Sequence, residues 1–437
     1  MNISTALKRG DKKVAVIGMG YLGYSCLIKL IRSGILCDVT DPKKERLELF
    51  NKGVYPDKEK FFFWQHISEL KQICEDALFR TVSLEEAVDN SISVYIISVP
   101  IVYKHSDLDN RFYKTLSIFK NIKEQYKNCE KPVIIFENLL KPYTMEKIIL
   151  PIFNTFGLTI DKDFILAYSP RKDWSLEDLL YKTTSKRVAS TSEKNKDILT
   201  DFYQILYKDV TYISSIKTLE VLACFEYALK FVGNALYSQI MFAYPDIDVS
   251  KNIDIIDKFY NGQIPGIHAS HEEIIATQYL IDASNKAEYL SILGNAFSAN
   301  ISIQMAIIEY IKKNEINKIA ILGLLANENK PETISPSLIL PQMLVNEGCE
   351  VYIHDPYIDS TFFKEQPDFK LMNFPKGLKH VEGVIILTPH TCYAVVNKRD
   401  LMILLEKCRI VIDNAGIWEH YDLNLDYKVI GSSPLIR

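Results

Sequence analysis

Val14-Ala15-Val16-Ile17-Gly18-Met19-Gly20-Tyr21-Leu22-Gly23 is a continuous apolar strand that runs straight into a G-x-G-x-x-G turn. The turn opens a helix reaching to about Ser33, and a second strand, Ile35–Thr40, ends at Asp41, 23 residues beyond Gly18. That spacing is close to the roughly 20 residues expected of a dinucleotide-binding unit. Gly18 permits the tight turn, Gly20 lets backbone approach a pyrophosphate, and Gly23 lets helix and strand pack. The helix N-terminus presents free N–H groups to the phosphates. Asp41 would accept both ribose hydroxyls of an adenosine and repel a 2′-phosphate, so the motif predicts NAD rather than NADP.

Working outward, Val94–Val99 and Val133–Phe136 are strand-like, with amphipathic stretches between them, and Phe164–Tyr168, Arg187–Ala189 and Val210–Ile213 extend the sheet. Residues 1–213 therefore read as an α/β domain of the Rossmann type, a doubly wound parallel sheet with crossover helices. From Lys217 to about Tyr244 the chain is apolar at helical spacing, which predicts one long helix, and Tyr289–Lys313 predicts another. Residues 214–314 form a central helical domain on this reading, with Lys312 to Lys318 as a linker. The α/β alternation then restarts with Ile319–Leu322, a helix from Ser337 to Glu347, Glu350–His354, Gly383–Leu387 and Arg409–Asp413, so residues 315–437 make a second Rossmann-like domain. Ala15-Val16-Ile17-Gly18 has a counterpart in Ala320-Ile321-Leu322-Gly323, as expected of two copies of one architecture.

Composition excludes several classes. The 437 residues accommodate about three domains. With 51 Lys+Arg against 55 Asp+Glu, a net charge of -4 and no long basic run, the chain lacks the footprint of a nucleic-acid binder. Met1 to Lys13 has no apolar signal region, and no stretch approaches the roughly 18 apolar residues of a membrane span. A cytoplasmic, soluble protein without a membrane partner is expected. The eight cysteines are scattered, with no C-x-x-C and no clustering with His, so reduced thiols and no metal are expected.

Gly18 to Gly23 followed by Asp41 and Arg46, the strand ending Ser98-Val99-Pro100, Ala167-Tyr168-Ser169-Pro170, the long helix with Thr218 and Glu220, and the late pairs Ser335-Pro336 and His354-Asp355-Pro356-Tyr357 together carry a resemblance. In this order, over nearly the whole chain, they resemble the UDP-glucose/GDP-mannose dehydrogenase family. The resemblance implies an N-terminal NAD-binding domain, a central helix that makes a homodimer, and a C-terminal domain that binds a UDP- or GDP-linked sugar. It also implies oxidation of a sugar C6 alcohol to a carboxylate with two NAD molecules, through a cysteine thiohemiacetal. Cofactor contacts carry over to Gly18, Gly20, Tyr21, Leu22, Gly23, Asp41, Arg46 and Val99.

The family's catalytic positions are occupied by other residues. The Thr that positions a catalytic water falls on Leu139, and the Glu after Ser169-Pro170 falls on Arg171, followed by Lys172. The Lys and Asn that hold the developing oxyanion fall on Ala223 and Tyr227. The cysteine loop corresponds to Pro265-Gly266-Ile267-His268-Ala269-Ser270-His271, which contains no cysteine, and Cys224 lies more than forty residues upstream. In the C-terminal signature the family's Lys appears as Asn327 and its Arg as Thr333. Gly266 and Arg171 remain as candidate substrate contacts.

Turning an aldehyde into an acid with a nicotinamide needs a tetrahedral adduct that can lose hydride, which a thiolate supplies and a His or Ser here does not. Two readings follow. In one, the chain is an NAD-dependent enzyme of two-electron chemistry on a nucleotide sugar, with His271, His268 or Tyr279 as general base in an interdomain cleft. In the other, it is a catalytically inactive member of the family that binds its ligands in regulation or assembly. Both belong to polysaccharide or glycoconjugate biosynthesis by resemblance.

Overall fold

The computed structural model describes residues 3–52, 78–99, 103–104, 107–108, 110–171, 185–244, 271–324, 338–356, 358 and 360–430. The chain divides into two compact units, Met1–Phe225 and Glu226–Arg437. The division falls inside the long helix Ile216–Ala243, which occupies the segment expected to be helical.

The first unit contains β1 (Lys13–Ile17), β2 (Cys37–Thr40), β3 (Phe79–Thr81), β4 (Ile92–Ile97), the short pair β5 (Tyr103–Lys104) and β6 (Asp107–Leu108), β7 (Val133–Phe136), β8 (Ile165–Tyr168), β9 (Lys186–Ser190) and β10 (Val210–Ile213). Its main sheet runs β3-β2-β1-β4-β7-β8-β9-β10. Every pairing is parallel except that of β8 with β9. The strand order reverses at β1, where Ile17 lies between Thr40 of β2 and Ile97 of β4. In open α/β sheets this switch point is where ligands dock, outside the carboxyl ends of the strands.

Strands β2, β7 and β8 are buried along their whole length, as strands covered on both faces must be. Leu27, Leu30 and Ile31 of the helix Tyr21–Arg32 join Leu199, Phe202 and Tyr203 of the helix Lys196–Leu206 in the core on one face. Phe112, Leu116, Ile149 and Phe153 belong to the core on the other. At the switch point the packing leaves no room for side chains. A Cβ on Gly18, which has φ +98°, would meet the Val99 nitrogen at 2.8 Å, and one on Gly23 would meet the Gly18 carbonyl oxygen at 1.7 Å.

The second unit contains β11 (Lys318–Leu322), β12 (Glu350–His354), β13 (Phe369–Leu371), β14 (Gly383–Ile386), β15 (Ile410–Asp413) and β16 (Asp426–Val429). They form an all-parallel sheet in the order β13-β12-β11-β14-β15-β16, which repeats the order of the first six strands of the other sheet. Ile303, Ile307, Ile308 and Ile311 of the helix Ser291–Lys313 belong to its core. Among the described residues one helical run, Ala287–Lys313, is long and apolar enough to cross a membrane, and 44% of its most apolar window is buried in the protein.

The segment from Lys312 to Lys318 is not an open linker. Helix and strand nearly touch across it, with Glu315 in the left-handed region at φ +54° and Ile316 buried in the core while its N–H returns to the Ile311 carbonyl at 3.2 Å. The polar composition that suggested a linker is that of a tight helix stop.

Gly23→Ala should force the glycine turn away from β1, because the contact it creates is with backbone. Overpacking of this kind costs about 1–3 kcal/mol. Thermal unfolding should show a lowered midpoint, and the variant should lose NAD binding. An unchanged midpoint together with unchanged NAD affinity would refute the packing described here.

Candidate functional site

The glycine turn is held from below by β2. Gly18 N–H donates to the Thr40 carbonyl at 2.8 Å, and Met19 N–H donates to Asp41 Oδ2 at 2.7 Å. Asp41 Oδ1 accepts the Lys43 N–H at 2.8 Å, and Arg46 Nη1 lies 3.8 Å from Oδ2. Asp41 therefore has a structural duty beyond the ribose contact expected of it. Each carboxylate oxygen keeps a second lone pair, so the group can still accept a hydroxyl.

Gly20 is the N-cap of the helix Tyr21–Arg32, and no side chain caps it, which leaves N–H groups of the first turn open to an anion. Arg46 approaches the same turn, with Nη1 3.7 Å from where a Gly20 Cβ would stand. Val99 packs directly on Gly18. The fold thus gathers Gly18, Gly20, Leu22, Gly23, Asp41, Arg46 and Val99 at one edge of the sheet; the side chain of Tyr21 lies outside the described residues.

Three buried polar atoms, Thr40 Oγ1, Ser98 Oγ and Asn138 Oδ1, have no hydrogen-bond partner among the described residues. They follow or end β2, β4 and β7 at this same carboxyl edge. Buried polar groups are rarely left unpaired, so an edge with three of them suits a polar ligand. With the cradle that only glycine fits at Gly18 and Gly23, these atoms fit a dinucleotide.

The positions to which the resemblance assigns the family's chemistry, where described, bring no reactive group. Leu139 is half-buried and brings no hydroxyl, and Ala223 and Tyr227 are buried on the long helix. Glu220, on the same helix, accepts the Tyr143 and Met145 N–H groups at 2.8 and 2.9 Å, and burial lifts its carboxyl to about 7. The Cys224 thiol donates to the Leu140 carbonyl at 3.3 Å, and burial raises it to about 12. Burial likewise raises Cys408 to about 12 and Cys392 to about 11, so none of the three is a thiolate at neutral pH. Among the described residues no group of His, Cys, Asp and Glu could hold a metal ion.

Arg171, read from the sequence as a substrate contact, has a side chain only 1% exposed. Its Nη1 donates to the Leu22 carbonyl at 2.8 Å and lies 3.8 Å from Glu137 Oε2. Glu137 Oε1 in turn accepts Lys186 Nζ at 3.1 Å and the Tyr203 hydroxyl at 2.8 Å. The Arg171 charge is thus engaged inside the first unit, in a buried network that the sequence did not reveal. His271 begins the helix His271–Ala283, but its side chain lies outside the described residues, as do Pro100, Lys172, the segment with Gly266 and His268, and Asn327, Thr333, Ser335, Pro336 and Tyr357.

The second unit repeats the geometry of the first. Gly323, at φ +80°, donates its N–H to the His354 carbonyl at 2.9 Å, and Leu324 N–H donates to Asp355 Oδ2 at 2.8 Å. Thr388, the counterpart of Val99, crowds Gly323 and leaves a buried hydroxyl without a partner among the described residues. Around this edge His390 Nε2 lies 3.2 Å from Asp355 Oδ2, and the Tyr393 hydroxyl donates to the His354 carbonyl at 2.8 Å. Burial lowers the pKa of His354.

Comparison with known proteins agrees with both halves. The NAD binding domain of the UDP-glucose/GDP-mannose dehydrogenase family matches residues 12–206, and the UDP binding domain of that family matches residues 320–420. Protein CapL of Staphylococcus aureus is 25% identical over 319 residues, covering 68% of this chain and 74% of its own. The UDP-N-acetyl-D-mannosamine dehydrogenase of Methanococcus aeolicus is 22% identical over 466 residues, covering 100% of both chains. Among solved structures, the UDP-D-ManNAc dehydrogenase of Pyrococcus horikoshii shares the fold, with a TM-score of 0.77 at 20% identity over 96% of this chain and 99% of that one. Two sheets of one strand order, a glycine turn built for a dinucleotide, and family matches over 12–206 and 320–420 lead to one conclusion: this chain belongs to the UDP-glucose/GDP-mannose dehydrogenase family, with NAD as its cofactor.

Proposed function

We propose that this chain binds NAD and a UDP-linked sugar in the cytoplasm and carries out two-electron redox chemistry on the sugar, in surface-polysaccharide or glycoconjugate biosynthesis, without the cysteine-dependent four-electron oxidation. What supports this is the set of residues that the resemblance places at the family's reactive positions, beside a cofactor edge built for a dinucleotide. Leu139, Arg171, Ala223 and Tyr227 stand where a Thr, a Glu, a Lys and an Asn would act, and the loop from Pro265 to His271 holds no cysteine. Loss of a single oxyanion donor typically lowers the rate about 10²–10³-fold. Losing the nucleophile as well removes the covalent thiohemiacetal route to the acid.

In the two-electron step an alcohol carbon of the sugar loses a hydride and its hydroxyl proton passes to a general base, so that a carbonyl forms. NAD, when bound, accepts the hydride. Asp41 and the first turn of the helix Tyr21–Arg32 bind and orient the dinucleotide, and His271 is the candidate to take the proton. The same losses also favour a second reading, in which the chain binds both ligands without turnover and acts in regulation or assembly.

The long helix supports homodimerisation. Val221, Phe225, Leu229, Leu236 and Ile240 recur at helical spacing and are exposed, Leu229 by 54% and Leu236 by 58%. An exposed apolar row of this kind marks an association surface.

Incubation with NAD and a panel of UDP- and GDP-sugars, followed by nicotinamide absorbance and product mass, tests the reading. A ketosugar, aldehyde or epimer is expected, and His271→Ala should abolish its formation. Uronate formed at an ordinary enzymatic rate would overturn the proposal, and silence across the panel would favour the non-catalytic reading. Sedimentation of the purified chain should give a dimer; a monomer at all concentrations would remove the helix interface.

A further inference from the structure

We infer that Arg171 is a cofactor-positioning residue: a buried guanidinium that ties the first turn of the dinucleotide helix to the ends of β7 and β8 and so sets the affinity for NAD. This rests on the NAD-binding assignment and goes beyond it, since Arg171 stands where the family resemblance places a substrate-side Glu.

The backbone of Arg171 is itself anchored. Ser169 N–H donates to the Phe136 carbonyl at 2.9 Å, and Arg171 N–H donates to the Glu137 carbonyl at 3.2 Å. The side chain then reaches across 149 positions of sequence to the Leu22 carbonyl. Leu22 lies inside the G-x-G-x-x-G, between Gly20 and Gly23. Gly23 fixes how closely the helix approaches β1, because nothing larger than hydrogen fits there. The bond to Leu22 supplies a second point of attachment on the same turn.

Glu137 sets an anion beside the guanidinium, its Oε2 3.8 Å from Nη1. Its Oε1 is held by Lys186 Nζ and the Tyr203 hydroxyl, and Lys186 Nζ also donates to the Ser169 carbonyl at 3.2 Å. All three charged side chains are 3% exposed or less. Burying such a group is a poor way to gain stability, because desolvation offsets most of the attraction, so its use here calls for a geometric reason. The bond to the Leu22 carbonyl supplies one, because it fixes the glycine turn at the helix N-terminus where a pyrophosphate would dock.

The test is titration of the full chain with NAD and, separately, with UDP, in the wild type and in Arg171→Met, Arg171→Lys and Glu137→Gln. Loss of a charge-assisted hydrogen bond should weaken NAD by about 10-fold or more in Arg171→Met. UDP affinity should stay at the wild-type value, and Arg171→Lys should recover part of the NAD affinity. Glu137→Gln, which removes the anion beside the guanidinium, should also weaken NAD alone. Unchanged NAD affinity in a folded Arg171→Met, or equal weakening of NAD and UDP, would overturn the inference. If Arg171→Met does not fold, Arg171→Lys decides: NAD weakened with UDP unchanged supports it, and wild-type NAD affinity overturns it. A wild type that binds no NAD would sink the cofactor assignment itself and the inference with it.

Discussion

One hydrogen bond organises the front of this molecule, the 2.7 Å contact from the Met19 N–H to the Asp41 carboxylate. It joins the loop after β1 to the end of β2, so that the glycine turn is held at the edge where the strand order reverses. The second unit makes the same bond from Leu324 to Asp355 at 2.8 Å. Two loops with different sequences thus share one solution: a glycine with positive φ, then an N–H closed onto the carboxylate of the neighbouring strand. Once that bond is made, the helix must start where it does, and its first-turn N–H groups must face the crevice.

Much of this was legible beforehand. Val133–Phe136, Val210–Ile213 and Glu350–His354 are strands over the residues their β-branched runs indicate. The long helix begins one residue earlier than its apolar spacing suggests and ends one earlier. Of the strands that the sequence does not signal, Phe79–Thr81, Phe369–Leu371 and Asp426–Val429 lie at sheet edges, are short, and expose polar residues, so they carry no apolar run. At β3 an ion pair adds to the backbone ladder, with Arg80 bidentate on Asp38 at 2.8 Å for both bonds. Such a pairing depends on strand order and has no local signal.

The candidate site divides in the same way. The glycine turn and Asp41 are local in sequence and could be read directly. Glu137, Arg171 and Lys186 meet only because β7, β8 and β9 are neighbours, and charged residues flanking apolar strands ordinarily read as solvated. Burial reverses that expectation. It also raises three of the described thiols: Cys224 and Cys408 are pushed to about 12, and Cys392 to about 11, the opposite of what a nucleophile requires. An intact cofactor edge, together with the replacements that the resemblance places at the family's reactive positions, is the combination on which the proposed chemistry rests.

The most direct test is a calorimetric titration of the purified chain with NAD and then with NADP. A carboxylate held at the end of β2 should admit NAD and repel the 2′-phosphate, giving saturable heat with NAD and little or none with NADP. No heat with NAD, or equal affinity for the two, would contradict the account at its base.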